Sequence, residues 1–481
     1  MSRESNYESA GSGRRWKGTR LSNASAEVLV AGASSVTRAR FRDLVRNNAQ
    51  ASRAVRTLAG QIIGSGILGT PKTEKLRAEW EAWCYSTQAD VSGRLNFYGI
   101  QSLVARTIVE SGSCLIRRQR VPSSESFVVP FKLQVLEPDF IDTSMDHLEG
   151  ERSVRRGIEF DKFDRPVAYH LFEEHPGGAV TLKGIRRRTI RVPAEEIIHV
   201  YDILRPGQIE GMPWGHPVMM RLRDYEDYED AQLLRQKIAA CFTGFIMDNE
   251  APVNQPLGDD EDSTPMSDKF EPGGWEVLPP GKDIKFASPP GVGSDFEAYT
   301  KRVLQGIAAG MGITYEQLTQ DYSNVNFSSA RMSMQQFQVD LDNWRWNMII
   351  PQLCDRVWNW WVEAGEIAGL IAQGADRSIR WTAPKKFIVD PATEVNAMKS
   401  MVRCGFTTLS ETIRSLGSEP DEHLNEMAAD NKRLDELRLT LDTDPRTITG
   451  FGTNQGIYEN DQGQSEGDNA SSEEQSRDSY R

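Results

Sequence analysis

The chain has 481 residues, 38% hydrophobic and 26% charged, with a formal net charge of −13. That length carries two or three domains and a sizeable core. The acidic balance argues against a protein that coats nucleic acid by counterion release, though not against one that lets nucleic acid slide past. Cys84, Cys114, Cys241, Cys354 and Cys404 lie far apart, with no CxxC and no histidine at ligand spacing. This fits a reducing compartment and argues against a disulfide framework or a zinc site. No apolar run is long enough to cross a bilayer, and the polar start has no signal-peptide core, so a soluble protein used in the cytoplasm is expected.

Residues 1 to about 35, rich in Ser, Gly, Ala and Arg, read as a flexible arm. Helical spacing then places Phe41, Leu44 and Val45 on one face and continues through Val55, Leu58 and Ile62 until Gly64 and Gly66. Further helices are expected over "TEKLRAEWEAWCY" and "FYGIQSLVARTIVESG", the latter closed by Gly112. A strand-rich block runs to about residue 215, giving an α+β domain, and a charged helix spans roughly Pro217 to Ala240. Residues 244 to about 290 read as loop, with a short hairpin around Pro279-Pro280-Gly281. A helix returns at "SDFEAYTKRVLQGIAAGMG", and "DYSNVNFSSA" interrupts it.

A long helix comes next, from about Ser328 to Ala364, with Met334, Phe337, Leu341, Trp344 and Met348 as its stripe and a kink or break expected at Pro351. Asp390 and Pro391 start the next helix and Gly405 stops it. Thr408 and Glu411 have capping-box spacing, and "PDEHLNEMAADNKRLDEL" is a last helix before an acidic tail that reads as disordered.

Few chemical motifs survive inspection. Gly64-Ser65-Gly66-Ile67-Leu68-Gly69 matches G-x-G-x-x-G but comes after a helix and precedes Pro71, so it reads as a helix stop and turn. No P-loop, H-E-x-x-H or G-x-S-x-G occurs. His199 reads as a hydrogen-bonded strand residue, Glu137 and Asp139 as a locally capped turn around Pro138, and "GDDEDST" as a solvated acidic loop. No metal site and no cofactor are expected.

The sharpest feature is "DYEDYED". At 100° per residue, Asp224, Glu226, Asp227, Glu229 and Asp230 fall at about 0°, 200°, 300°, 140° and 240°, wrapping the helix. A metal box needs convergence on one face. Arg223 can pair with Asp227 at i+4. Two readings stand: a solvated helix laced with ion pairs, or one lying along a channel in an assembly whose neighbours supply partners.

The order of these segments resembles the lambda-like family of bacteriophage portal proteins. The matching stretches are "RARFRDLVRNNAQASRAVRTLAGQIIGSGI", "LEPDFID", "GIEFDKFDRPVAYHLFEEHPG", the run from "VPAEEIIHVYDI" through "DYEDYED" to "KIAACFTGFI", and "GITYEQLTQDYSNVNFSSARMSMQQFQ". The resemblance covers most of residues 36 to 440. It implies a multi-domain α+β portal fold in a cyclic ring, typically of twelve subunits, through which double-stranded DNA enters and leaves the capsid.

By position, it implies a wing (36–216 and 331–383), stem helices (217–243 and 292–312), a clip (244–291), a tunnel-loop region (313–330) and a helical crown (384–441). Residues 1–35 and 442–481 fall outside it. The implied DNA-channel residues are Ser323, Asn324, Val325 and Asn326 of the loop and the five stem acids. The implied partners are further copies of the chain, the terminase large subunit, capsid or scaffold proteins and head-completion proteins, with no membrane. A passive conduit is expected rather than an enzyme. The alternative is a metal-dependent nuclease using the acid-rich helix.

Overall fold

A computed structural model gives the fold and describes residues 22–121, 129–149, 152–178, 188–241, 245–248, 282–285, 295–323, 325–385, 390–439 and 441. Ala26–Ala31 (α1) begins where the Ser25 hydroxyl accepts from the Val28 amide at 3.4 Å. The flexible arm expected over residues 1 to about 35 is corrected at its end, where composition alone overlooks Ser25 as a cap; residues 1–21 lie outside the described residues. Ser34–Asn47 (α2) and Ala49–Ile63 (α3) are separate helices. Asn48 between them is extended, and its side chain accepts from the Ala51 amide at 3.0 Å. Phe41, Leu44, Val45, Val55, Leu58 and Ile62 are buried, as their spacing predicts.

Leu68–Pro71 (β1), Glu74–Tyr85 (α4) and Phe97–Ser111 (α5) come next. The Gly64–Gly69 stretch thus joins a helix to a strand, the reverse of the order a dinucleotide fingerprint needs. Ser113–Arg120 (β2), Phe131–Leu136 (β3), His147–Glu149 (β4), Arg152–Arg155 (β5), Ile158–Phe160 (β6), Pro166–Phe172 (β7), Thr189–Pro193 (β8) and Ile197–Tyr201 (β9) build two antiparallel sheets. One has the order β3-β2-β9; the other is the meander β4-β5-β6-β7-β8.

Met219–Cys241 (α6) is succeeded by Phe245–Asp248 (β10) and Lys282–Lys285 (β11), which pair antiparallel, Phe245 opposite Lys285. The hairpin expected around Pro279-Pro280-Gly281 is corrected in part. Its second arm is β11, paired with β10, while its first arm lies outside the described residues, as does "GDDEDST".

Asp295–Met311 (α7), Tyr315–Thr319 (α8) and Phe327–Trp344 (α9) lead into a π-helical passage, Arg345–Cys354, and then Asp355–Ile367 (α10). At Pro351 the helical path widens instead of breaking. Proline lacks an amide and its ring crowds the carbonyl four residues back; a wider turn moves that carbonyl aside. Ile379–Thr382 (β12) returns to pair with β1. Pro391–Arg403 (α11) and Leu409–Ser415 (α12) start as expected, with Asp390 accepting from the Thr393 amide and Thr408 from the Glu411 amide. The chain divides after Gly417, and Pro420–Leu437 (α13) belongs to the second unit.

The main core gathers α2 to α5, the β3-β2-β9 sheet, the bases of α6 and α7, and α9 to α10. Its centre is Trp80, within 5.1 to 5.6 Å of the rings of Trp83, Phe97, Trp358 and Trp361, with Trp381 at 6.4 Å. A smaller core of Leu115, Ile158, Phe160, Tyr169 and Leu171 lies between the two larger sheets.

One buried cation ties the two ends of the main core. Arg345 donates from Nε to the Ile62 carbonyl at 2.7 Å and from Nη2 to the Gln61 carbonyl at 2.6 Å. It thus satisfies carbonyls that the last turn of α3 leaves unpaired. Burial pulls its pKa down, against the partial support of Asp342 at 3.7 Å. Replacing Arg345 by Met keeps the volume but strands both carbonyls. The expected loss is about 2–4 kcal/mol, read from the midpoint of urea unfolding followed by tryptophan fluorescence.

Candidate functional site: an acidic helix pair and its polar loop

Among the described residues, the acidic helix enters the core only at its base. Just before it, the chain crosses the end of α5 at a glycine pair: a Cβ on Gly211 would lie 1.9 Å from the Gly112 carbonyl oxygen. The Trp214 amide donates to the Val109 carbonyl at 3.1 Å. Leu222 and Tyr225 of α6 are buried in the core, and from Glu226 to Lys237 every residue is half-buried or exposed. The outer part of α6 therefore has no core-facing stripe.

Asp224, Asp227, Glu229 and Asp230 are exposed and Glu226 is half-buried. Arg223 lies 3.6 Å from both Glu226 and Asp227, the second being the expected i+4 pair. Glu229 accepts from the Tyr225 hydroxyl at 2.7 Å. Burial first, and then the Glu229 carboxylate, push the Tyr225 phenol up, so it stays a donor. The five acids do not converge on one point, which removes the geometric ground for a metal-dependent nuclease at this helix.

Helix α7 returns antiparallel to α6. At the base, Gly310 and Gly306, one turn apart, meet Val218 and Arg221. A Cβ on either glycine would lie 2.2 Å from Val218 Cγ1 or 2.4 Å from Arg221 Nη1. Farther out, Tyr228 stacks on Phe296 at 5.8 Å and meets Tyr299 edge-on at 5.2 Å. Small residues allow close approach at one end, and aromatic rings set the spacing at the other.

The loop between α8 and α9 holds the second group of expected channel residues. Gln320 ends α8 in the left-handed region, and Asp321 organises the turn beyond it. Its carboxylate accepts from the Ser323 amide at 3.0 Å, from the Ser323 hydroxyl, and from Tyr315 Oη at 3.0 Å. The Ser323 and Tyr315 hydrogen bonds hold the Asp321 carboxyl below its ordinary value. The Lys301 ammonium of α7 sits 5.4 Å from the Tyr315 ring centroid. The Val325 amide donates to the Tyr322 carbonyl at 3.2 Å, and Asn324 lies outside the described residues.

Asn326 has a structural role that sequence reasoning missed. Its side-chain oxygen caps α9 by accepting from the Ser329 amide at 2.8 Å, and its NH2 has no partner among the described residues. The sequence signal was Asn followed three residues on by Ser at a helix start. Tyr315 and Asp321, which hold the loop, were also missed, although Asp-x-Ser is a local turn signal.

The other singled-out residues fall elsewhere. Glu137 and Asp139 stand on a turn around Pro138, as expected, but without the local side-chain cap. Arg42 lies 3.2 Å from Glu137 and 2.8 Å from Asp139, and Arg38 lies 3.1 Å from Asp139. Burial would raise the Asp139 pKa, but the two guanidinium groups outweigh it and hold the carboxyl low. Glu137, Asp139 and His175 bring ligand atoms within 4.8 Å of one another, but Arg38 and Arg42 already pair the two carboxylates.

His199 is a strand residue of β9, as read, but its Nε2 is buried without the hydrogen bond that was expected. The rings of Tyr169 and Tyr201 flank it at 5.8 and 4.7 Å, and it lines a cleft of about 300 Å³ beside Gln352 and Arg356. Burial, and then the field of Arg38, lower its pKa to about 3.

Comparison with known proteins places these features in a family context. The model for "Phage portal protein, lambda family" matches residues 12–345. The probable portal protein of Halomonas phage phiHAP-1 is 27% identical over 410 residues, covering 83% of this chain and 78% of that protein. Portal protein B of Escherichia phage lambda is 20% identical over 442 residues, covering 80% and 81%. Among solved structures, a chain from the neck of a native GTA particle aligns with a TM-score of 0.45 at 16% identity, covering 82% of this chain and 99% of that one.

Two outcomes are expected from the geometry. Gly310→Leu should force α6 and α7 apart at the base, at a cost of about 1–3 kcal/mol, and accelerate proteolysis within both helices. His199 is neutral in the folded chain down to about pH 3 but takes a proton near pH 6.5 once unfolded. Stability should fall as pH drops below 6.5, and His199→Gln should flatten that slope in denaturation curves taken between pH 7 and 4.

Proposed function

The chain belongs to the lambda family of phage portal proteins, and on that premise we propose that it assembles into a ring of about a dozen copies whose channel passes double-stranded DNA at one capsid vertex. The observation that carries this reading is the state of the five acids. They sit on a helix that, among the described residues, enters the core at its base alone. Their described partners lie on the same helix, so most of their charge remains available to whatever passes nearby. A channel lined with Lys and Arg would gain affinity at every phosphate and hold the duplex. Carboxylates repel phosphates and keep contacts weak and independent of sequence.

The loop residues fit as neutral contacts. Ser323 and the NH2 of Asn326 are short and uncharged; with Asn324 they can touch phosphates without fixing a register. In this reading α6 and α7 are the stem and the loop from Gln320 to Asn326 faces the DNA. Residues 244–291 dock the terminase large subunit during packaging and head-completion proteins afterwards, and the capsid or scaffold proteins surround the wing. The energy for DNA movement comes from a separate ATPase, since the sequence holds no P-loop. The protein acts in the virion after assembly in the host cytoplasm.

Light scattering and negative-stain imaging test the ring: an annulus with a hole on the order of 20–40 Å is expected. The channel role is tested by replacing Asp224, Glu226, Asp227 and Asp230 with their amides, leaving Glu229 because Tyr225 depends on it. Packaged DNA should drop by about two-fold or more, with retention strongest at low salt. Packaging unchanged across the salt range would remove the acids from the channel wall.

A further inference from the structure

Helix α9 and the π-helical passage present an outward face without charge. From Ser328 to Pro351, the exposed positions are Ser, Met, Gln, Val, Asn, Trp and Pro, with no Asp, Glu, Lys or Arg among them. The charged residues of the same stretch, Arg331, Asp340, Asp342 and Arg345, are half-buried or buried. Three large apolar side chains stand on the exposed face: Met332 at 69%, Val339 at 62% and Trp346 at 48% exposure. They recur every seven residues, the spacing of a seam between packed helices. A solvated helix in this chain looks different: α13 exposes Asp421, Glu422, Glu426 and Asp430. Loss of charge with gain of Met and Trp marks the centre of a protein–protein contact.

We propose that this face is covered by a second copy of the chain. The inference rests on the ring reading and names the surface that would close it. DNA does not fit, because the face offers no exposed cation. The chain's own ends fit poorly, since "GRRWKGTR" is basic and "SSEEQSRDSYR" is heavily charged. The strip measures on the order of 35 by 10 Å. That is nearly half of the roughly 800 Å² that one partner contributes to a standard interface. It therefore forms the centre of a larger contact, of the kind each subunit of a closed ring makes with its neighbour.

The test begins with Val339→Asp and Trp346→Asp in the full chain. Both side chains are exposed in the single subunit, so circular dichroism and the unfolding midpoint should match the parent. The concentration needed for ring assembly, followed by mass photometry, should rise at least ten-fold. Rings from both variants at the parent's concentration would overturn the inference and leave the ring reading intact. A parent chain that forms no ring under any condition would overturn the ring reading, and the inference with it.

A second readout does not depend on assembly strength. In a Cys241→Ser, Cys404→Ser background, in which the remaining cysteines are buried, Val339→Cys introduces a thiol whose labelling rate is measured in rings and in dissociated subunits. Protection of ten-fold or more only in rings is expected. Equal labelling in both states, or protection already present in single subunits because the chain's own ends cover the face, would overturn the inference.

Discussion

Everything in the larger unit depends on closing rings around Trp80. Trp83, Phe97, Trp358, Trp361 and Trp381 come from four separate elements, two early in the chain and two late, and each buries a large apolar surface by meeting the same indole. Elements so distant in sequence cannot hold one another by local propensity. The Arg345 bridge to the end of α3 and the β1–β12 pair reinforce the same closure. The bases of α6 and α7 are packed into this body at Leu222, Tyr225, Ile307 and Met311. The acidic part of α6 is then free to be polar because nothing in the core requires it.

How much of this was legible depends on the range of the interactions. Helix ends set by neighbouring residues were readable: Gly64 and Gly112 as stops, Asp390 and Pro391 as a start, and Thr408 as a cap. The charged helix was expected over Pro217 to Ala240 and runs Met219–Cys241. Shorter elements were not readable. Helix α8 is five residues long, and α1 hides in a stretch whose composition suggests disorder. Partners across long separations were invisible too. Glu137 and Asp139 belong to Arg38 and Arg42, β11 pairs with β10, and His199 keeps an unpartnered nitrogen.

The candidate site shows the same division. Five carboxylates wrapping one helix could be counted on a wheel, and the Arg223–Asp227 pair could be foreseen. The hold on the polar loop could not, because it depends on a tyrosine of one helix reaching an aspartate beyond it while a lysine of another lies over the ring. Asn326 illustrates the cost of reading side chains by chemistry alone: its oxygen is already committed to starting α9.

The π-helical passage has a consequence for how the sequence can vary. It sets the rotational phase between Met332 and Val339 before it and Trp358 and Trp361 after it. Rewinding those ten residues as ordinary α-helix, at unchanged length, would turn everything beyond them relative to what precedes, because a π turn takes more residues than an α turn. The two indoles would swing out of the cage around Trp80 while the outward seam stayed in place. The ten residues of that passage are thus bound to their wider winding.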